Sequence, residues 1–413
     1  MFYNGGLIPS PTTIYQVQKY LGSGSYGVVF QCRNVTTNET VALKMIKNAG
    51  FINSAKEEEA TLKTLRELHS DRFNIIKLNE SFTYMGHCCL VFEHLDMDLL
   101  KFMKINPGRH LQLKEIRPIL QQLATSLEFL KGAGIIHTDL KPDNIMMVDH
   151  VRQPLKVKII DFGLACNNPE KLIGHTIQCL CYRAPEILLR SLFDWAIDIW
   201  SLGCIVAELF MGIVLFPAHD ENDLRNQILH MVGKPVFAGD NTQYCFWPKY
   251  WMESRFVASL NGLLGVDNYA EQVDLAWFID LLRRMLTLEP SERITPRGIL
   301  EHPFITMSHF EGAFKNSLYV KSSMDLKSGC QDNRSDDGGD GCRKILPKSL
   351  KKDSSKRTAK PPKSRRKRWR NGPGLDDNSS TKNRKMKLKQ ELIKIVKAMN
   401  DSRAAQSTST QVH

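Results

Sequence analysis

Two kinds of hydrophobic periodicity follow one another along the chain. From residue 15 to about 41, apolar and polar residues alternate between glycines and an Asn-rich turn, VTTNET, which predicts a β-meander. A helix is predicted over residues 54–69, and KLNESFTY and HCCLVFE predict two more strands. After Leu99 the pattern is mostly helical, with a strand pair at IMMV and VKII. These patterns predict an α+β fold with a small β-rich N-lobe and a larger helical C-lobe.

The apolar pattern ends near Phe304, at EHPFI, after which Ser, Gly, Asp and Lys predominate. We therefore expect an N-terminal extension over residues 1–14, one folded domain over 15–304 and a basic, mostly disordered tail over 305–413. Within the tail, apolar residues between 384 and 399 recur at helical spacing among lysines. This predicts an amphipathic helix for a partner, for an anionic surface or for packing on the folded domain.

The most apolar stretch, residues 197–216, is long enough to cross a bilayer. Asp198 and Glu208 interrupt it, and no pattern of flanking charge favours insertion. We therefore expect a buried helix of a globular domain and no membrane span.

The positive charge of the chain is concentrated at its end. The formal net charge is +12, yet the residues from Lys321 onward carry 25 Lys and Arg against 10 Asp and Glu, so the preceding part is slightly acidic. The ten cysteines are scattered, and no charged and then apolar signal stretch precedes them. We therefore expect reduced thiols in a protein of the nucleus or the cytoplasm, and not secretion.

A glycine-rich stretch, GSGSYGVV at residues 22–29, follows a predicted strand. Glycines allow a backbone to approach phosphates, although such a pattern alone is a weak signal. VALK then places Lys44 on the next strand, where its ammonium group could reach phosphates. On the following helix Glu58 lies four and seven residues before Leu62 and Leu65, which predicts an inward-facing carboxylate able to hold the lysine.

The loop HTDLKPDN contains Asp139, Lys141 and Asn144, and the sequence DFG begins at Asp161. Transfer of a phosphoryl group needs an acceptor for the proton of the nucleophile and oxygen ligands for Mg²⁺. Asp139, Asn144 and Asp161 can supply these functions. Their order along the chain predicts a phosphoryl-transfer site.

Together these motifs resemble those of the eukaryotic protein kinases over residues 15–304. The matching motifs, in order, are GxGxxGxV, VALK, HxDLKPxN, DFG, APE and DIWSLGC. The resemblance implies that Lys44 and Glu58 form an ion pair that positions the α- and β-phosphates of ATP. It also implies that Asp139 accepts the proton of the substrate hydroxyl.

The same resemblance implies the remaining binding residues. Asn144 and Asp161 would hold Mg²⁺, and the backbone of Glu93 and Leu95 would take the adenine ring. Lys141, two residues after the catalytic acid, resembles the serine/threonine type of loop. The implied nucleotide-binding residues are Leu21, Gly22, Ser23, Gly24, Ser25, Tyr26, Gly27, Val28, Val29, Lys44, Glu93 and Leu95.

The stretch from HTDLKPDN to DFG, together with YRAPEILL, is similar to the homeodomain-interacting protein kinases, relatives of the dual-specificity tyrosine-regulated kinases. Those kinases carry a helical insert, which residues 246–256 match. Thr138 stands where many kinases have an arginine that binds an activation-loop phosphate. Thr176 stands where the homeodomain-interacting kinases and their relatives have an autophosphorylated tyrosine. We therefore expect no dependence on tyrosine phosphorylation of the activation loop. Because Leu180 replaces a further arginine, the preference for proline after the target residue stays open.

Two basic clusters mark the tail, KSRRKRWR at residues 363–370 and KNRKMKLK from Lys382. They predict binding of a nuclear import receptor. Contact with nucleic acid, with Trp369 available for stacking, is a less favoured alternative, and a merely solvated tail is another.

The leading interpretation is an active protein serine/threonine kinase whose substrates are protein hydroxyls. The alternative is a pseudokinase or scaffold that acts through protein binding. The complete set Lys44, Glu58, Asp139, Asn144 and Asp161 favours the enzyme, because a kinase that has lost activity usually lacks at least one of them.

Overall fold

The computed structural model of the chain describes residues 5–23, 27–46, 52–106, 110–232, 266–310, 314 and 317–329. They all lie in one compact unit, Met1–Asp337, whereas the second unit, Gly338–His413, lies outside the described residues. Several predicted features also lie outside them. These features are the centre of the glycine-rich loop, the insert at 246–256, and the basic clusters and helix of the tail.

One antiparallel sheet forms the N-lobe. Its strands are β1 (Leu7–Pro9), β2 (Ile14–Ser23), β3 (Gly27–Asn34), β4 (Thr40–Ile46), β5 (Leu78–Tyr84) and β6 (His87–Glu93), in the spatial order β1-β2-β3-β4-β6-β5. The turn between β3 and β4 holds Asn38 at a φ of 67°, which a short polar side chain tolerates. The predicted meander and the strands KLNESFTY and HCCLVFE are confirmed. Strand β1, within the predicted N-terminal extension, pairs with β2 and widens the sheet.

Alternation along β4 separates a core face from the face that carries Lys44. Leu43 and Met45 are fully buried in an apolar cluster on one side of the sheet. Lys44 lies between them in sequence, and its side chain is therefore on the other side. It is paired in register with Val29 of β3 and Leu90 of β6. The lysine thus occupies the middle of the sheet, facing the helix that follows.

Helix α1 (Ile52–Glu67) lies close to the predicted range and presents one face to the sheet. Glu58, Leu62 and Leu65 share that face and are only 3%, 2% and 1% exposed. The two leucines belong to the same apolar cluster as Leu90 of β6. Their burial fixes the rotation of the helix, and this rotation turns the Glu58 carboxylate inward.

Helices dominate the C-lobe. Its elements are α2 (Leu99–Ile105), α3 (Leu113–Gly132), β7 (Ile145–Asp149), β8 (Gln153–Ile159), α4 (Pro185–Leu188), α5 (Ala196–Met211), α6 (Glu221–Val232), α7 (Val266–Met285), α8 (Pro296–Glu301), α9 (Pro303–Thr306) and α10 (Leu318–Gly329). The predicted strand pair is confirmed as β7 and β8, and the predicted buried helix as α5. Among the described helices, none is both long and apolar enough to cross a membrane. The two-lobed α+β fold is confirmed.

Packed structure continues beyond residue 304. The Tyr319 hydroxyl of α10 donates to Asp274 of α7 at 2.6 Å, and Arg117 of α3 pairs with the same fully buried carboxylate. Burial alone raises the pKa of Asp274, but Arg117 and hydrogen bonds from His309 and Tyr319 hold it below its ordinary value. A buried carboxylate depends on such partners. This network therefore fastens α10 to the C-lobe.

We predict that Tyr319→Phe lowers the free energy of unfolding by about 1.5–3 kcal/mol, because it removes a hydrogen bond to a buried charge. Urea unfolding of the full chain, followed by tryptophan fluorescence, measures the change. Tyr20→Phe is the matched control, since it also removes one hydroxyl but from a side chain that is 53% exposed. Its expected effect is within about 0.5 kcal/mol. Equal effects of the two substitutions would show that the Asp274 network does not stabilise the fold.

Candidate active site

A single ammonium group joins three segments of the chain. Lys44 Nζ lies 2.7 Å from Oε1 and 2.9 Å from Oε2 of Glu58, and 3.0 Å from Oδ1 of Asp161. Burial on its own lowers the pKa of Lys44, but the two carboxylates outweigh burial and raise the pKa above its ordinary value. The lysine is therefore charged, and it links β4, α1 and the segment that contains DFG.

The loop HTDLKPDN brings Asp139, Lys141 and Asn144 into contact. Lys141 Nζ lies 2.6 Å from Oδ2 of Asp139. Asn144 Nδ2 donates to the same oxygen at 3.0 Å and to the Asp139 carbonyl at 2.8 Å. Burial lowers the pKa of Lys141, yet its hydrogen bond with Asp139 and the charge of Asp139 raise it overall. Two donors thus hold one carboxylate at one of its two oxygens.

The DFG segment interlocks with this loop. Asp161 adopts a left-handed backbone with a φ of 61°, and the amide of the residue before it donates to the Asn144 carbonyl at 3.0 Å. Phe162 is 1% exposed and packs edge-on against the His137 ring, with 5.1 Å between centroids. Burial raises the pKa of Asp161, but the charge of Lys44 and its hydrogen bond bring it below the ordinary value. Asp161 is therefore ionised and lies on a segment that is bonded directly to Asn144.

The donor chemistry of Asn144 and Asp161 fits Mg²⁺. This ion prefers oxygen ligands and usually binds one or two carboxylates together with substrate phosphates. The amide nitrogen of Asn144 is bonded to Asp139, which leaves the amide oxygen to act as a ligand. Asp161 contributes a carboxylate with a lowered pKa. The two side chains thus offer the kind of oxygen atoms that the ion requires.

A buried carboxylate holds the backbone before Asp139. Asp198, in the first turn of α5 and 2% exposed, accepts from the backbone amides of His137 at 2.7 Å and Thr138 at 3.0 Å. Thr138 has a φ of 63°, which β-branched residues rarely adopt and which persists only where the surroundings enforce it. Asp198 therefore sets the geometry of the loop. Sequence reasoning gave this residue no role, although a charged side chain within an apolar stretch signals a buried partner.

The Thr138 side chain connects the loop to the activation segment. It is fully buried, and its hydroxyl donates to the Leu164 carbonyl at 2.6 Å. Threonine has no cationic group that could pair with a phosphate, and the hydroxyl of Thr138 is already bonded to Leu164. The position thus serves as a short tether between two segments of the site.

The predicted glycine-rich loop is described only in part. Leu21, Gly22 and Ser23 end β2, Gly24, Ser25 and Tyr26 lie outside the described residues, and Gly27, Val28 and Val29 begin β3. A Cβ atom on Gly27 would lie 2.2 Å from the Met45 carbonyl oxygen, so the close strand pairing requires glycine there. Val29 is paired with Lys44 in the sheet, whereas Val28 is buried in the apolar cluster on the opposite face. The structure thus brings the Val29 side chain, but not that of Val28, to the face of the lysine.

Glu93 and Leu95 lie at the connection between the lobes. The Glu93 carboxylate accepts from Lys158 Nζ at 2.5 Å and from the Lys77 amide at 2.8 Å. Leu95 is 5% exposed and packs in the apolar cluster that continues into the C-lobe. An ion pair on one side and apolar packing on the other therefore fix the connection in place.

The chain is similar to known protein kinases. The family described as "Protein kinase domain" matches residues 15–305. Homeodomain-interacting protein kinase 1 of Mus musculus is 39% identical over 76% of this chain and 29% of its own length. Homeodomain-interacting protein kinase 2 of Mesocricetus auratus is 39% identical over 76% of this chain and 30% of its own length. Kinase 4 of Homo sapiens is 34% identical over 77% of this chain and 59% of its length.

The chain thus spans less than two thirds of each of these curated relatives. The protein kinase family match over residues 15–305 includes the kinase motifs described above. The resemblance indicated by those motifs is confirmed: the chain belongs to the protein kinase family, and its kinase domain is similar to those of the homeodomain-interacting protein kinases.

Proposed function

We propose that this chain is a protein serine/threonine kinase that transfers the γ-phosphoryl group of MgATP to hydroxyls of protein substrates. The observation that supports this most strongly is a complete and connected set of polar groups. Lys44 is bonded to both Glu58 and Asp161, and Asn144 is bonded to Asp139. Burying such groups is costly, and the alternative of a scaffold that only binds proteins would not require all of them.

Asp139 is the proposed acceptor for the proton of the substrate hydroxyl. Lys141 and Asn144 hold its carboxylate at Oδ2, so that Oδ1 can accept a hydrogen bond from the substrate. The ammonium group of Lys141, next to the acid, offsets the negative charge that develops during transfer. A lysine at this position is the feature that favours Ser and Thr as acceptors.

Lys44 is proposed to bind the α- and β-phosphates, beneath a cover formed by residues 21–29. The backbone of Glu93 and Leu95 would hold the adenine ring at the connection between the lobes. Asn144 and Asp161 would hold Mg²⁺, which when bound would neutralise part of the negative charge of the phosphates.

We further propose that activity does not depend on a phosphotyrosine in the activation segment. Thr176 is exposed and stands where the resembling kinases carry that tyrosine. The residue before Asp139 is Thr138, whose hydroxyl is bonded to Leu164. The polar groups proposed for catalysis are already in contact in the unmodified chain.

We predict that Asp139→Asn lowers the turnover number by about 10²-fold or more, because the amide cannot accept the proton. Phosphotransfer to degenerate peptides with Ser, Thr or Tyr as the acceptor measures both rate and hydroxyl preference. Asp143→Asn is the matched control, an exposed acid of the same loop whose loss should change the rate less than about twofold. An unaltered rate in Asp139→Asn would contradict the role of Asp139, and transfer mainly to Tyr would contradict the proposed acceptor.

Nuclear import through the basic tail, which lies outside the described residues, is a separate proposal. Deletion of residues 363–370, which include six Lys and Arg, should lower the nuclear-to-cytoplasmic ratio of a fluorescent fusion. Deletion of residues 371–378, equally long and without Lys or Arg, is the control. The same distribution for both deletions would remove the import proposal. Loss of DNA or RNA binding by the first deletion, without a change in distribution, would favour the nucleic-acid alternative instead.

A further inference from the structure

Residues 174–178 of the activation segment are held by two arginines. Arg190, just after α4, donates from Nη1 to the Gly174 carbonyl at 2.8 Å and to Thr176 Oγ1 at 3.3 Å. Arg183 donates from Nε to the Ile177 carbonyl and from Nη2 to the Gln178 carbonyl, both at 2.9 Å. Four acceptors within residues 174–178 thus depend on two guanidinium groups.

Both arginines converge on one carboxylate. Glu221, the first residue of α6, lies 2.9 Å from Nη1 of Arg183 through Oε1 and 3.2 Å from Nη2 of Arg190 through Oε2. Burial lowers the pKa of Arg183, and the charge of Arg190 opposes its protonation further, whereas Glu221 favours it. The two guanidinium groups carry like charges and repel each other, and an anion placed between them offsets this repulsion. Glu221 provides that anion from within the chain.

Arg183, Arg190 and Glu221 together form a clamp on residues 174–178. The backbone of this clamp is strained at two positions. Arg190 has a φ of 54° and Gln178 a φ of 64°. A left-handed conformation is unfavourable for a residue with a side chain and persists where other contacts enforce it. At Gln178 the side chain also bonds to Ser201 Oγ at 2.9 Å and accepts from the Ala184 amide at 2.9 Å. The clamp is therefore a defined arrangement and not a loose surface contact.

The clamp borders the catalytic residues. Cys179 follows Gln178 directly, and its thiol lies near enough to Lys141 and Asp139 to interact with both charges. The stretch 174–178 thus leads into the part of the cleft next to the proposed proton acceptor, where a protein substrate must place its hydroxyl. The position of this stretch should therefore affect binding of the protein substrate more than binding of ATP.

We propose that Glu221 is a positioning residue: its carboxylate takes the place of a phosphate, so that Arg183 and Arg190 hold residues 174–178 ready for a protein substrate in the unmodified chain. This inference rests on the proposed kinase function. It extends that function by naming the anion that orders the activation segment. An anion that reaches Arg190 from position 176 should be able to replace Glu221.

We predict that Glu221→Gln raises the KM for a Ser/Thr peptide about tenfold, the equivalent of one lost charge-assisted hydrogen bond, and leaves the KM for ATP within about twofold. Asp223→Asn is the matched control. Its carboxylate lies in the same turn of α6 but accepts from His219 and Gln227, so both constants should be unaltered. A wild-type peptide KM in Glu221→Gln would overturn the proposal, and so would an equal rise for ATP, which indicates general damage.

A rescue experiment separates charge from structure. In the Glu221→Gln background, Thr176→Glu should reverse at least about half of the rise in peptide KM on a logarithmic scale, whereas Thr176→Gln should not. Rescue by both substitutions, or by neither, would contradict the requirement for an anion.

Amide hydrogen exchange gives a readout that does not require activity. Glu221→Gln should speed exchange within residues 174–178, and Asp223→Asn should not. If the wild-type chain transferred no phosphate, the kinase proposal would fail while this measurement still tested the clamp. Equal protection of this stretch in both variants would show that Glu221 does not position it.

Discussion

Three segments of the proposed catalytic centre meet at one ammonium group, Nζ of Lys44. Its bonds to Glu58 and Asp161 join the sheet, helix α1 and the DFG segment. The sheet presents the lysine because its neighbours in β4 are buried on the other face, and α1 presents Glu58 because Leu62 is buried beside it. If the charge of Lys44 were removed, the Glu58 carboxylate, which is only 3% exposed, would remain buried without this cationic partner, which is strongly destabilising. The position of these groups therefore follows from the packing of α1 on the sheet and from the bond between Lys44 and Asp161.

In the C-lobe, carboxylates also hold segments of the chain next to the proposed active site. Asp198 holds the backbone before the proposed proton acceptor, and Glu208 of the same helix accepts from the Tyr182 hydroxyl at 2.6 Å. Glu221 is shared by Arg183 and Arg190. Each of these three segments is thus held by a carboxyl group that the chain itself supplies. These contacts support the proposal that the site assembles without a phosphate on the activation segment.

Local periodicity predicted the helix that carries Glu58, whereas the roles of the site residues were implied by the resemblance of the motifs. Alternation along β4 and the helical spacing from Glu58 to Leu62 express which face is buried, and burial is what the sequence records most directly. Strand β1 is only three residues long, too short for a periodic pattern. The attachment of α10 depends on Tyr319 meeting Asp274, 45 residues earlier in the chain. Contacts between distant polar residues, like that of Glu221 with Arg183, leave no local pattern.

The central claim is that the site is active without a phosphate on the activation segment. The first part of the reaction time course tests this claim most directly. The full chain would be treated with a phosphatase, the phosphatase removed, and the absence of phosphate on Thr176 verified by mass spectrometry. Transfer from MgATP to a Ser/Thr peptide would then be followed from the first seconds. We predict a linear time course without a lag, because in this account carboxyl groups of the chain itself, Asp198, Glu208 and Glu221, order the site. A lag that shortens as the chain phosphorylates its own activation segment would contradict this.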